Sequence, residues 1–152
     1  MRNKIAAVIV TYNRKELLIK SINALLEQTL PLDAIFIIDN KSTDGTPNLL
    51  FENKYITTLP SIEPINDEEQ NTIVRASNNK EIEFFYTRRK DNDGGAGGFN
   101  FGMKQAIKNN FDWLWIMDDD AINESGALKN LFCYAKDNIA GICSAVSIPM
   151  VI

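Results

Sequence analysis

Ile5-Ala6-Ala7-Val8-Ile9-Val10-Thr11-Tyr12-Asn13-Arg14 is the stretch that decides the fold. Six apolar residues run without alternation and then stop at a polar segment. A continuous run of that length predicts a strand buried on both faces, as in a parallel sheet covered by helices. Met1-Arg2-Asn3-Lys4 ahead of it superficially resembles the start of a secretory signal, but the apolar run is short and no small-residue cleavage site follows.

The same rhythm continues outward. Leu18, Ile22, Leu25 and Leu26 recur at helical spacing, and Pro31 marks the exit. Residues 34–38 form a second buried run ending at Asp39-Asn40. After the Asp44-Gly45 turn, Thr46 and Pro47 suit the N-cap and first position of a short helix reaching about Lys54. Residues 81–86 predict a third strand, 93–98 a glycine-rich loop, and Phe99, Met103, Ala106 and Ile107 a helical face behind it. Residues 112–117 predict a fourth strand ending in Asp118-Asp119-Asp120. Ala127, Leu128, Leu131, Phe132 and Ala135 suggest another helix, and residues 141–146 a fifth strand. Alternating β and α elements imply an α/β fold with a mainly parallel sheet flanked by helices. Residues 57–80 interrupt the pattern with Pro60, Pro64 and Asp67-Glu68-Glu69; a connection this long is a functional excursion or a mobile insertion, and a mobile insertion is expected here, with no role assigned.

Composition narrows the chemistry. The 152 residues suit one domain. Sixteen Lys+Arg against 20 Asp+Glu give a net charge of −4. With no basic run, nucleic acid is not an expected partner. The chain has no histidine, which removes imidazole bases, Ser-His or Cys-His nucleophile pairs and imidazole metal ligands. Cys133 and Cys143 make no disulfide framework and suit a reducing cytoplasm. The expected location is cytoplasmic, or peripheral to a membrane within a longer protein. No segment reaches the ~20 apolar residues of a membrane span. The mostly apolar residues 139–152 suggest a truncated domain and an end prone to self-association.

In open α/β sheets, ligands bind beyond the carboxyl ends of the strands. Four clusters fall there: Thr11-Tyr12-Asn13, Asp39-Asn40, the glycine loop and the aspartate triplet. In extended backbone Asp118 and Asp120 point the same way, roughly 6.5 Å apart at Cα. Two carboxylates at that spacing repel by about 2–3 kcal/mol at an effective dielectric near 20. A divalent cation reverses that cost, and oxygen ligands suit Mg2+ or Mn2+, with diphosphate and water completing the shell. The plainer reading is that the acidic residues charge the N-terminus of the next helix.

Asp39 is either an acidic turn residue or an acceptor for a nucleoside base or ribose. Gly94-Gly95-Ala96-Gly97-Gly98 is either a hinge or a place where backbone approaches a phosphate at a helix N-terminus. It fits neither a P-loop nor a dinucleotide fingerprint. Trp113 and Trp115 read as core, while Arg88, Arg89 and Lys90 either neutralise diphosphate or face solvent.

Val10-Thr11-Tyr12-Asn13-Arg14, Ile38-Asp39-Asn40-Lys41-Ser42-Thr43-Asp44-Gly45-Thr46 and Met117-Asp118-Asp119-Asp120 resemble the signatures of family 2 glycosyltransferases, which have a GT-A fold. Residues 92–102 and Trp113-Leu114-Trp115-Ile116 are similar to the galactofuranosyltransferase and rhamnosyltransferase-like branch. The resemblance covers most of the chain outside residues 57–80, which have no counterpart in the family's compact core. It implies an inverting enzyme that transfers a sugar from a UDP- or dTDP-sugar to a glycan or lipid-linked acceptor. The expected donor-binding residues are Thr11, Tyr12, Asn13, Asp39, Asn40, Gly95, Gly97, Gly98, Asp118 and Asp119. Asp118 and Asp120 are the expected ligands of Mn2+ or Mg2+. The family's catalytic base is expected beyond Ile152. The alternatives are a nucleotidyltransferase-like enzyme, although Thr11-Tyr12-Asn13 lacks the glycines of a phosphate-grasping loop, and a non-catalytic nucleotide-binding module.

Overall fold

β1 (Ile5–Thr11) is buried over all seven residues, and the rest of the molecule is arranged around it. The computed structural model describes residues 3–133. Further strands are β2 (Ala34–Asp39), β3 (Glu68–Arg75), β4 (Glu81–Arg88) and β5 (Trp113–Asp118). The helices are α1 (Lys15–Leu26), α2 (Thr46–Glu52), α3 (Gly94–Lys108) and α4 (Ala127–Phe132). The sheet order is β3-β4-β2-β1-β5. β1 pairs in parallel with β2 and β5, and β2 with β4; only β3 runs antiparallel, against β4.

The unbroken apolar runs follow from helices on both faces. Ile5, Ala7 and Ile9 enter one core with Leu18, Ile22 and Leu25 of α1, Leu50 of α2 and Leu128 of α4. Ala6, Val8 and Val10 face the other way, toward Phe36, Ile38, Phe111 and Ala106 of α3. Trp113 and Trp115 pack against the first core, as their place on a strand suggests.

Two expectations change. The glycine-rich segment is the first turns of α3 rather than a loop. Its buried line is Gly98, Gly102 and Ala106, whereas Ile107 is exposed. A Cβ on Gly98 would lie 2.6 Å from Val10 Cγ1, and one on Gly102 2.5 Å from Val8 Cγ1. The glycines therefore let the α3 backbone lie directly on β1, a contact that hydrophobic periodicity does not reveal.

The second change concerns residues 57–80, which contain a paired edge strand rather than only a mobile loop. β3 alternates, with Gln70, Thr72 and Val74 turned inward and Glu69, Asn71, Ile73 and Arg75 exposed. Two of its inward residues are polar and bond to the preceding loop: Thr72 Oγ1 donates to the Tyr55 carbonyl (2.7 Å) and Gln70 Nε2 to that of Thr58 (2.7 Å). An edge strand satisfied this way carries little apolar signal. The turn before α2 also differs slightly: Gly45, with φ +87°, holds the N-cap position, and Asp44 receives hydrogen bonds from the Thr46 amide and hydroxyl. The expected fifth strand at 141–146 and the apolar end at 139–152 lie outside the described residues.

Candidate functional site

From β1 the chain adds β2 and then β4 on one side, and α3 carries it back across the opposite face to place β5 on the other. The α1 connection leaving β1 and the α3 connection entering β5 therefore lie on opposite faces, and at such a switch ligands bind at the carboxyl ends of the strands. An open cleft of about 500 Å³ lies there. Thr11, Tyr12 and Arg14 line it from the β1 end, Asn40 from β2, and Asn92, Gly94 and Gly95 from the start of α3. Asp118, Asp119 and Asp120 close it from β5. A second groove of about 350 Å³, between α3 and the β3–β4 pair, shows no comparable convergence; there Gln105 Nε2 donates to Glu69 (3.2 Å).

The three aspartates divide their work. Asp118 and Asp120 are exposed to the cleft, whereas Asp119 is buried between them. The Thr11 hydroxyl donates to Asp119 Oδ2 at 2.7 Å, tying the β5 end to the β1 end. Burial pushes the Asp119 carboxyl above its ordinary range, a rise moderated by the Thr11 hydrogen bond and the Arg14 charge. Arg14 Nη1 donates to Asp120 at 2.8 Å and lies 3.6 Å from Asp119. Among the described residues no three His, Cys, Asp or Glu side chains converge as a complete metal cluster. The cleft thus offers two open carboxylates, a donor set that suits a hard divalent ion whose remaining ligands are water and phosphate oxygens.

Several expected donor contacts have other duties in the structure. Asp39 is fully buried. Its carboxylate accepts from the Tyr86 hydroxyl (2.8 Å), Arg88 Nη1 (3.0 Å) and the Ser42 amide (2.8 Å), so a ligand in the cleft has no direct access to it. Burial foremost, then the Asp39 charge and hydrogen bond, drives the Tyr86 hydroxyl far above its ordinary pKa. Arg88 is equally enclosed, donating also to the carbonyls of Ser42, Ser61 and Ile62. It clamps loops together and does not face a diphosphate. Arg89 is held by Asp67 (3.0 Å) and Asp93 (2.8 Å) and lies over the Phe101 ring.

Thr11 is buried with its hydroxyl on Asp119, so its side chain positions the triplet. Asn13 adopts φ 55° and accepts from the Thr43 amide (2.7 Å), joining two loops. Asn40 Nδ2 donates to the Gly94 carbonyl (2.8 Å), leaving Oδ1 buried and unpartnered. Gly98 packs on Val10, and a Cβ on Gly97 would strike Asp93 Cβ; neither glycine is among the residues lining the cleft. Tyr12, Gly95, Asp118 and Asp120 remain open to it. Arg14 is the cleft residue that motif reading left without a role, because its partner lies 106 residues away.

The sequence profile of glycosyl transferase family 2 matches residues 6–79 and 65–148. The chain belongs to glycosyl transferase family 2. Among curated family 2 relatives, it is 30% identical over 148 residues to the galactofuranosyltransferase GlfT1 of Mycobacterium tuberculosis, covering 96% of this chain and 40% of that protein. Against GlfT1 of Mycolicibacterium smegmatis the identity is 30% over 116 residues, with 76% and 30% covered. The chain therefore spans 40% or less of these relatives' length.

Similar solved structures include a mannosyltransferase, PcManGT from Pyrobaculum calidifontis, in complex with GDP-Man and Mn2+. Its TM-score is 0.62 at 20% identity, covering 91% of this chain and 34% of that one. S. aureus TarS 1-349 in complex with UDP aligns with TM-score 0.58 at 19% identity, covering 86% and 31%. The shared fold is the GT-A fold.

Proposed function

We propose that this chain forms the donor-binding part of an inverting glycosyltransferase that moves a sugar from a nucleotide diphosphate, such as UDP or dTDP, to a glycan or lipid-linked acceptor. The observation that carries this reading is the cleft at the β1/β5 divide, where Asp118 and Asp120 stand open beside Tyr12 and the bare backbone of Gly94 and Gly95. Similarity to galactofuranosyltransferases, and to structures solved with UDP or GDP-Man, supports the same class of donor.

In this reading Asp118 and Asp120 hold Mn2+ or Mg2+. The bound ion supplies Lewis-acid stabilisation of the charge that develops on the departing diphosphate. Thr11 keeps Asp119 turned inward, which holds the triplet with its flanking carboxylates outward. Tyr12, 48% exposed, offers a ring face for a base or sugar. The N-terminus of the 15-residue α3 presents its positive dipole end to a phosphate, with the Gly94 amide taken by Asn92 Oδ1 (2.9 Å) and no side chains at Gly94 or Gly95 in the way. Among the described residues no other carboxylate lines the cleft. The base that deprotonates the acceptor hydroxyl is not assigned to any of these residues.

Calorimetric titration with UDP, dTDP and GDP, with and without Mn2+, tests the reading. Mn2+ should bind weakly alone and much more tightly with the preferred nucleotide, and Asp118→Asn should abolish that difference. Equal Mn2+ affinity with and without every nucleotide would refute it.

A further inference from the structure

Arg14 occupies an unusual position for a side chain outside the expected site. It is the one cationic residue lining the cleft among the described residues. The neighbouring cations are committed elsewhere: Lys15 Nζ donates to the Asp44 carbonyl, Arg88 is enclosed with Asp39, and Arg89 is held by Asp67 and Asp93. Arg14 instead reaches an aspartate expected to hold the divalent ion, at 2.8 Å from Asp120 Oδ2. A guanidinium and a divalent ion on that one carboxylate repel each other, which favours moving Arg14 off Asp120 Oδ2 when the ion arrives.

The pair is built to part. Its side chains are 52% and 50% exposed, so neither partner is trapped in a dry environment by separation. The backbone beneath Arg14 is anchored, because its carbonyl accepts from the Leu18 amide at the start of α1 and Asn13 is tied to Ser42 and Thr43. A long side chain on a fixed pivot then has the cleft before it. A guanidinium fork matches phosphate oxygens bidentately, which a point charge does not.

We propose that Arg14 is a placeholder cation: it neutralises Asp120 while no divalent ion is bound, and carries its charge to the donor's diphosphate once that ion takes Asp120. This rests on the donor-binding role proposed above. It gives Arg14 opposite effects on the two ligands. Arg14 competes with the metal alone and assists the nucleotide that follows.

The test compares the full 152-residue chain with Arg14→Met, which keeps the reach and loses the charge, and Arg14→Lys, which keeps charge without the fork. Free Mn2+ is followed by its electron paramagnetic resonance signal, and UDP, dTDP and GDP binding in saturating Mn2+ by calorimetry. An exposed ion pair predicts that Arg14→Met binds Mn2+ alone roughly 2- to 5-fold more tightly. Loss of a charged hydrogen bond predicts about 10- to 100-fold weaker binding of the preferred nucleotide. Arg14→Lys should fall between parent and Met in both arms. Shifts of the same sign, or an unchanged value in either arm, overturn the placeholder role. If the unaltered chain binds none of the three nucleotides with Mn2+, the donor-binding reading falls and takes this inference with it. If it binds one of them and Arg14→Met behaves as parent, only this inference falls.

Discussion

Replacing Asp39 with alanine separates a structural carboxylate from a ligand-binding one. Asp39 and Arg88 face each other in the β2–β4 register, with side chains 0% and 3% exposed. Removing the carboxylate leaves a buried guanidinium whose remaining acceptors are the neutral carbonyls of Ser42, Ser61 and Ile62. Breaking one side of a buried pair typically costs about 3–5 kcal/mol. The Tyr86 hydroxyl and the Ser42 amide also lose their acceptor, and each unsatisfied buried group costs about 1–3 kcal/mol. The three carbonyls recover part of the guanidinium's loss, so the expected destabilisation of Asp39→Ala is about 3–5 kcal/mol. Against the ~5–15 kcal/mol of a typical domain, that is a large share. Urea denaturation followed by the fluorescence of Trp113 and Trp115 measures it, as a lower midpoint with little change in slope. Asp39→Asn, which keeps an acceptor, should lose less. The double variant Asp39→Leu/Arg88→Met should lose less than the two single losses added, because it removes both charges. The reasoning is refuted if Asp39→Ala unfolds at the parent's urea concentration while nucleotide binding collapses, for then the carboxylate would face the ligand.

Alanine at Gly98 or Gly102 should lower stability by about 1–3 kcal/mol through overpacking against Val10 or Val8. Gly95→Ala, with nothing within 4 Å of its Cβ, should leave the melting temperature nearly unchanged; thermal melts distinguish the two cases. At Asp44, burial pushes the carboxyl upward, but hydrogen bonds from Thr46 and the Lys15 amide outweigh it and hold the pKa below the ordinary 3.8. Its stabilisation is therefore fully present above the unfolded value of about 3.9 and lost as pH falls through the lower folded value. A urea-midpoint series against pH should show Asp44→Asn flattening that acid limb, and an unchanged limb would count against it. Hydrogen exchange should protect the β3 amides bonded to β4, and limited proteolysis should spare residues 68–75; first cleavage inside β3 would restore the mobile-insertion expectation.

The local features of this chain were legible from sequence because each is written in consecutive residues. The unbroken run Ile5 to Val10 requires cover on both faces, and β1 has it. The strand-end clusters at Thr11, Asp39 and Asp118 fall on one sheet edge because parallel strands align their carboxyl ends, as the Thr11↔Asp39 and Val10↔Asp118 registers do. Extended backbone predicts the exposed, buried, exposed order of Asp118, Asp119 and Asp120, but β5 ends at Asp118 and a turn, with the Ala121 amide on the Asp118 carbonyl (3.2 Å), carries the other two.

Tertiary pairing decided the rest. Asp39 looked available because its partner Arg88 is 49 residues away, and only the β2–β4 register brings the two together. Gly98 looked like a ligand or hinge glycine, and Gly102 had no reading of its own, because nothing in a sequence shows that α3 will rest on Val10 and Val8. β3 was hidden because an edge strand satisfied by polar bonds to residues 55–58 has little need of the apolar alternation that announces other strands. Hydrophobic pattern records how much of a segment must leave water. Which charge meets which, and which backbone must come close, depends on contacts that exist only once the chain has folded.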